Sequence, residues 1–349
     1  MASPSTTSLP ATMKTLLQAS RQTTEVISTT APLPEPTHPD DVLVRVHATA
    51  PCAGELRWAI DFPDKVPADK VLVPCQDLAG TVVRAPPSGE GRFAAGDRVY
   101  CRIDASRAGA ARDYALPRAS ELARIPAGLG WVEAAATPLS ALTAWQALFV
   151  QGTLDAAGIK EDAAAARERN RKQRVLVTGA GGGVGSWVVQ LAALAGAGAV
   201  VAVCAGDKAA VARELGATEV IDYTKTSVED WVKVDPAARE VDLVIEMVGG
   251  KTLTGCWWAV KEGGALVTIH TPPEYGKPEG MTKRLSKALF FIVEALGSNL
   301  AEIGGLIEAG LVRPTVDSVW EFADYKKAFE RLESGHAKGK VIIKVSDEA

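Results

Sequence analysis

The densest chemical signal in the chain is Arg174-Val175-Leu176-Val177-Thr178-Gly179-Ala180-Gly181-Gly182-Gly183-Val184-Gly185. Read from Ala180, the spacing is Ala-x-Gly-x-x-Gly, set by Ala180, Gly182 and Gly185, with Gly181, Gly183 and Val184 filling the gaps. Missing side chains let the main chain come close to a diphosphate. The helix expected to start near Gly183–Gly185 would add free N–H groups and the positive end of its dipole. Gly185 would let that helix pack tightly on the preceding strand. A glycine turn can also be merely structural. Here it follows an apolar strand pattern, Arg174–Thr178, and opens a helical pattern, Ser186–Ala195. That is the context a dinucleotide site requires.

The residues downstream bear on which dinucleotide. In a Rossmann unit that binds NAD, an acidic residue ending the second strand accepts hydrogen bonds from the adenosine ribose. Nineteen residues after Gly185 that position is Cys204, which places no carboxylate against a 2′-phosphate. Lys208 follows four residues later and Tyr223 fifteen beyond it. An ammonium and a phenol both suit a phosphate. Asp207 would oppose a phosphate if it faced inward, and Lys208 taken alone suits a surface helix as well. Together, Cys204, Lys208 and Tyr223 predict NADPH.

Other candidates carry two readings each. Cys52 is either an inert pocket thiol or a nucleophile, and no histidine stands beside it in sequence. His47 sits inside a strand pattern and reads as a hydrogen-bonded structural residue, whereas His270 follows a later strand and reads as a cleft residue. Asp77 could orient a substrate or tie loops together. Trp257-Trp258 reads as packing. The cysteines at 52, 75, 101, 204 and 256 form no CxxC pair, and so sparse a set suggests a reducing, cytoplasmic setting rather than a disulfide framework.

Positioning these residues takes two kinds of architecture. From Lys14 to about Ala136 the pattern is short and extended, as in Val42–Ala48, Gly80–Arg84 and Asp97–Cys101, with turn-rich stretches such as Ala85–Gly89 between. It predicts a small β-barrel or sandwich. From Arg174 the strands Arg174–Thr178, Val200–Cys204, Val220-Ile221, Asp242–Glu246 and Ala265–Ile269 alternate with helical patterns. That is the grammar of a doubly wound parallel sheet. The terminal strand Lys340–Val345 stands apart and is expected to pair with the N-terminal β-rich part. Residues 155–173 are Ala-rich and charged and read as a solvated helical insertion. The first 13 residues read as a disordered tail that is neither a signal peptide nor a good transit peptide.

Composition narrows the function. The 349 residues suggest about two domains. Hydrophobic residues are 47% and charged residues 23%, enough to bury a sizeable core. The formal net charge of −4 argues against a nucleic-acid partner. No apolar run reaches the length of about 18 residues needed for a membrane span.

Several motifs in order resemble the medium-chain dehydrogenase/reductase superfamily, on its zinc-independent quinone oxidoreductase and enoyl reductase branch. Pro74–Gly80 is similar to PGxDxAG, with Cys75 in place of the usual glycine. Gly96–Tyr100 matches GDRVY, and Ala134–Trp145 resembles AAxxPxxxxTAW. The glycine turn, Glu214–Ala217 with Ile221–Tyr223, and Gly339-Lys340-Val341 complete the series. The resemblance implies a GroES-like β-rich catalytic domain from 14–138 and 308–349, with a Rossmann domain from 139–307 and the active site between. It implies that Lys208 and Tyr223 hold the 2′-phosphate and that Thr143, Ile269 and His270 lie near the nicotinamide. Met247–Gly250, with Val248 and Gly249, and Phe291-Ile292 would line the cofactor groove. The positions matching the family's catalytic zinc ligands are Cys52, Gln76 and Leu139, a set too poor in N and S donors to hold zinc. A homodimer through the sheet edge near Ala265–Ile269 is also implied.

The resulting expectation is an NADPH-dependent, zinc-independent reductase of an activated double bond or quinone. Cys52, Gln76, Thr143 and His270 are its candidate catalytic residues and a small electrophile its substrate. A carbonyl reductase and a non-catalytic NADPH-binding partner protein are the alternatives.

Overall fold

The computed structural model describes residues 9–86, 91–160 and 162–346. Residues 1–8 of the expected tail and 87–89 of the expected turn lie outside this range. Thr12 and Met13, assigned to the tail, instead open the first strand, where Met13 is buried.

The first part of the chain is extended. It comprises β1 (Thr12–Gln18), β2 (Val26–Pro32), β3 (Leu43–Ala50), β4 (Asp77–Arg84), β5 (Arg98–Arg102), β6 (Tyr114–Ala115) and β7 (Ala123–Arg124). The parallel part follows as β8 (Arg174–Val177), β9 (Ala199–Cys204), β10 (Glu219–Asp222), β11 (Val241–Glu246), β12 (Val260–Thr268) and β13 (Lys287–Phe290). The chain closes with β14 (Val316–Glu321) and β15 (Lys340–Lys344).

Two main sheets result. One has six strands in the order β10-β9-β8-β11-β12-β13, and every neighbouring pair in it is parallel. Its order reverses between β8 and β11, the switch point at which open α/β sheets bind ligands beyond their strand ends. The other has seven strands in the order β14-β15-β3-β4-β5-β7, with β6 on β3. There β15 runs antiparallel to β3 through Ile343 and Lys344, so the two chain ends share one sheet. β1 and β2 form a separate hairpin.

The apolar run of β8 explains its place. Val175, Leu176 and Val177 are fully buried. Helices cover both faces, so each such side chain adds about 1.5–3 kcal/mol. The helix Gly183–Leu194 packs across this sheet through Trp187, Val188 and Leu191.

Two expectations change. Strand β12 is interior, flanked by β11 and β13, so the edge near Ala265–Ile269 is already occupied and β13 is the outer strand. The reason is that Lys287–Phe290, short and alternately exposed, has no strong apolar signature of its own. The segment 155–173 is also docked rather than simply solvated. Its helix Ala164–Asn170 buries Ala166 and Asn170. The Asn170 amide donates to Asp155 O and Ala195 O.

Candidate active site

The glycine turn has the form its spacing demands. Gly179 has φ 59° and Gly182 caps the helix Gly183–Leu194 with extended backbone. A Cβ on Gly185 would collide with Gly179 O and lie 2.6 Å from Ala180 Cα. A Cβ on Gly182 would meet only Gly179 O, at 3.3 Å. The turn therefore packs tightly under Gly185 and is open at Gly182, with the Lys208 and Lys340 stems flanking Gly181 and Gly183 and the amides of Gly183–Gly185 at the helix start. These residues fit a dinucleotide diphosphate.

Neighbouring strand ends complete the groove. The position of a Gly179 Cβ is 3.2 Å from Met247 Cγ and 3.5 Å from Val248 Cγ2. Gly249, at φ 78°, faces Thr271 Oγ1 and His270 Nδ1. The backbone of Ile269 donates to Glu246 O, and that of Phe291 to Thr268 O. So Val248, Gly249, Ile269, His270, Phe291 and Ile292 all leave β11, β12 and β13 at the ends where the glycine turn leaves β8. Val248, His270 and Ile292 are exposed. Glu246, missed in the sequence, is fully buried and accepts from Val248 N at 2.8 Å and Gly249 N at 2.7 Å. It holds the turn after β11 in shape. An acidic residue closing an apolar strand before Gly-Gly is the signal that marks it.

At the end of β9, Cys204 is buried, and burial with nearby Asp222 raises its thiol pKa. The Lys208 stem lies across Gly181, and its ammonium donates to Ala337 O at 3.2 Å. Tyr223 is 59% exposed at the end of β10.

The wall opposite is built from distant segments. Asp77, on β4, is fully buried. Its Oδ1 accepts from Leu139 N at 2.6 Å and its Oδ2 lies 2.9 Å from Lys340 Nζ. Lys340 also donates to Pro51 O at 3.2 Å. Burial disfavours its ammonium, but the Asp77 carboxylate more than offsets this and raises the pKa above the ordinary lysine value. Its stem reaches the nucleotide part, because a Gly183 Cβ would lie 3.1 Å from Lys340 Cδ and 3.0 Å from Ser140 Oγ. Sequence reading treated Lys340 only as part of a motif. A lysine opening the apolar strand Lys340–Lys344 was the available signal.

Glu55 ties the remaining loops. Its two oxygens accept from Cys52 N and Cys75 N, each at 3.0 Å. Burial pushes its pKa up to about 7 against the opposing pull of those two N–H groups. Cys75 sits at φ 67° where a glycine would be unstrained. Burial pushes the Cys52 thiol up to about 12, with Lys340 opposing, which disfavours the thiolate that a nucleophile needs. Gln76, with its amide oriented to satisfy its surroundings, donates to Ile103 O at 3.0 Å and Asp104 O at 3.2 Å. The Thr143 hydroxyl is buried and donates to Leu139 O at 2.6 Å. His47 bonds Thr81 Oγ1 and stacks on Trp131, the structural reading. Among the described residues no three His, Cys, Asp or Glu side chains come together as a metal site. The donor set at Cys52, Gln76 and Leu139 does not fit zinc.

Two sheets joined this way, with a dinucleotide cradle facing a buried ion-pair wall, define a two-domain nicotinamide oxidoreductase. Residues 38–136 match the family model described as alcohol dehydrogenase GroES-like domain, and residues 215–343 the one described as zinc-binding dehydrogenase. The protein of Arthroderma benhamiae named "Probable zinc-binding oxidoreductase, mitochondrial" is 42% identical over 98% of this chain and 99% of its own. The mouse NAD(P)H oxidoreductase RTN4IP1, mitochondrial, is 33% identical over 72% of this chain and 65% of its own. The chloroplast envelope quinone oxidoreductase homolog of Arabidopsis thaliana is 31% identical over 89% and 92%. The crystal structure of an alcohol dehydrogenase superfamily protein from Novosphingobium aromaticivorans superposes with TM-score 0.78 at 26% identity, covering 96% of this chain and all of that one. The chain belongs to the medium-chain dehydrogenase/reductase family and is an oxidoreductase of the quinone and NAD(P)H oxidoreductase type.

One expectation is overturned. The names of these relatives point to mitochondria and chloroplasts, away from the cytoplasm. All five cysteines are free. Unpaired cysteines give no address.

Proposed function

We propose that the protein is an NADPH-dependent reductase that delivers hydride to an activated carbon–carbon double bond or a quinone without zinc. The observation that carries this reading is the donor set at Cys52, Gln76 and Leu139. One side chain is a lone thiol, one an amide committed to two backbone carbonyls, and one has no donor, which is fewer N and S donors than zinc needs. Direct reduction of an isolated carbonyl relies on a Lewis acid or an equivalent group at oxygen. A conjugated acceptor spreads the incoming charge itself, so positioning and hydrogen bonds suffice.

A bound reduced nicotinamide supplies the hydride. The chain's own residues do the rest. The amides at Gly183–Gly185, at the start of the helix, hold the diphosphate. Val248, Gly249 and Ile269 shape the groove beyond it. The Asp77–Lys340 pair fixes β15 against β4 and the Gly183 turn, which keeps the cleft wall in register with the cofactor. A proton drawn from solvent completes the reduction.

The test is NADPH oxidation against enones, enoyl thioesters, quinones and simple ketones, with and without a chelator. Turnover of conjugated acceptors, unchanged by chelation, is expected. Turnover that disappears on chelation and returns with zinc overturns the reading. A product assay showing allylic alcohol instead of saturated ketone favours a carbonyl reductase. We further propose that two copies pair along β13, and sedimentation tests it, with a monomer at all concentrations as the contrary result.

A further inference from the structure

The end of β9 carries a contact between the two parts of the molecule that the fold alone does not require. Lys338 precedes β15 and so belongs to the seven-stranded sheet's side. Its Nζ lies 2.7 Å from Asp207 Oδ2, and these side chains are 56% and 58% exposed. In the other direction Lys208, next to Asp207, donates to Ala337 O. The two sides interlock beside Cys204, where the adenosine ribose of a dinucleotide lies in this fold.

We propose that Lys338 is a specificity-determining ligand for the cofactor's 2′-phosphate, supplied across the cleft by the catalytic side, and that the Asp207–Lys338 pair is the resting form of that subsite. This rests on the NADPH reading above and extends it to a residue outside the nucleotide-binding part.

Charge bookkeeping supports it. Asp222 and Lys225 form a closed pair at 3.5 Å, and the other Asp222 oxygen accepts from Thr224 N and Oγ1. What remains around Cys204 is Asp207, Lys208, Arg213 and Lys338, a net of two positive charges. The Lys338 ammonium holds Asp207 below the usual carboxylate range. The acidic residue that would repel a phosphate is thus already neutralised from across the cleft. A 2′-phosphate, with nearly two charges and three acceptor oxygens, competes with one carboxylate for both ammoniums. Asp207 is exposed enough to turn into water when displaced. A 2′-hydroxyl offers nothing that would displace it, so NADH leaves the pair closed. NADPH therefore replaces Asp207 as the partner of Lys338, and cofactor choice is read by a residue from the opposite side of the cleft.

The probes are adenosine 2′,5′-bisphosphate and AMP, measured by calorimetry on the full chain, alongside the ratio of kcat/KM for NADPH over NADH. The wild type should bind the bisphosphate more tightly than AMP. Lys338→Ala should lose about tenfold in bisphosphate affinity with AMP affinity unchanged, and Lys338→Arg should retain it. Asp207→Asn, which removes the competitor, should tighten the bisphosphate. A wild type that prefers NADPH and keeps its full preference in Lys338→Ala overturns this inference alone. A wild type that prefers NADH overturns the NADPH reading and this inference together.

Discussion

The two walls of the cleft are made in opposite ways. The glycine turn after β8 acts through what it lacks, because missing side chains leave backbone amides facing an open cradle. The wall around Asp77 acts through buried charge, with a carboxylate and an ammonium held 2.9 Å apart and closed off from water. The first tolerates no added volume at Gly185. The second tolerates no unmatched charge. The contrast teaches where each wall is vulnerable: changes to the turn should act on the cofactor, and changes to the opposite wall on folding.

The largest effect belongs to the charged wall. Lys340→Met strands a buried Asp77 carboxylate and should cost about 3–5 kcal/mol in denaturant unfolding. Adding Asp77→Asn should restore much of it. A single variant as stable as wild type would erase the distinction between the walls. Next comes Glu55, raised from 4.5 to about 7 in the folded protein. The folded state then holds more protons than the unfolded between those values. Stability should fall as pH rises through that window, by about 3 kcal/mol at most. Unfolding midpoints from pH 4.5 to 7.5 should show this slope, and Glu55→Gln should flatten it.

On the glycine side, Gly185→Ala should cost about 1–3 kcal/mol by overpacking. It should weaken cofactor binding about 10- to 100-fold by moving the turn. Cofactor fluorescence titration separates that loss from any change in melting temperature. The smallest effect is expected at Cys75→Gly. Relief of a left-handed backbone, worth about 1–2 kcal/mol, opposes the loss of a buried thiol and the greater freedom of glycine in the unfolded chain. Thermal melts should agree within about 1 kcal/mol, and a large destabilisation would mean that the Cys75 thiol contributes more than packing.

Legibility followed the same division. The alternating strands and helices of the six-stranded sheet could be read from Arg174 onward, because buried parallel strands are short apolar runs and the glycine turn is contiguous. Strands β1, β2, β13 and β14 were not read, since their exposed or mixed faces carry no continuous apolar signal. Reading β12 as the sheet edge was the direct cost of missing β13. In the site, Ala180–Gly185 could be named residue by residue. Gln76 and Thr143 were named for chemistry and turn out to spend their polar atoms on backbone carbonyls. Asp207 reads in sequence as a charge opposed to a 2′-phosphate, and the structure adds that it pairs with Lys338 at 2.7 Å.

Sequence alone determined the fold family, the glycine turn at Ala180–Gly185 and the poverty of metal donors at Cys52, Gln76 and Leu139, because each depends on residue types at short or ordered spacings. Tertiary structure alone decided that Lys340 meets Asp77, that Glu55 binds both cysteine loops, and that Lys338 crosses to Asp207. Those contacts join residues as far apart as 77 and 340. Charges separated so widely along a chain have no mutual pattern until packing brings them within a few ångströms, where, for the buried Asp77–Lys340 pair, low dielectric makes the interaction strong.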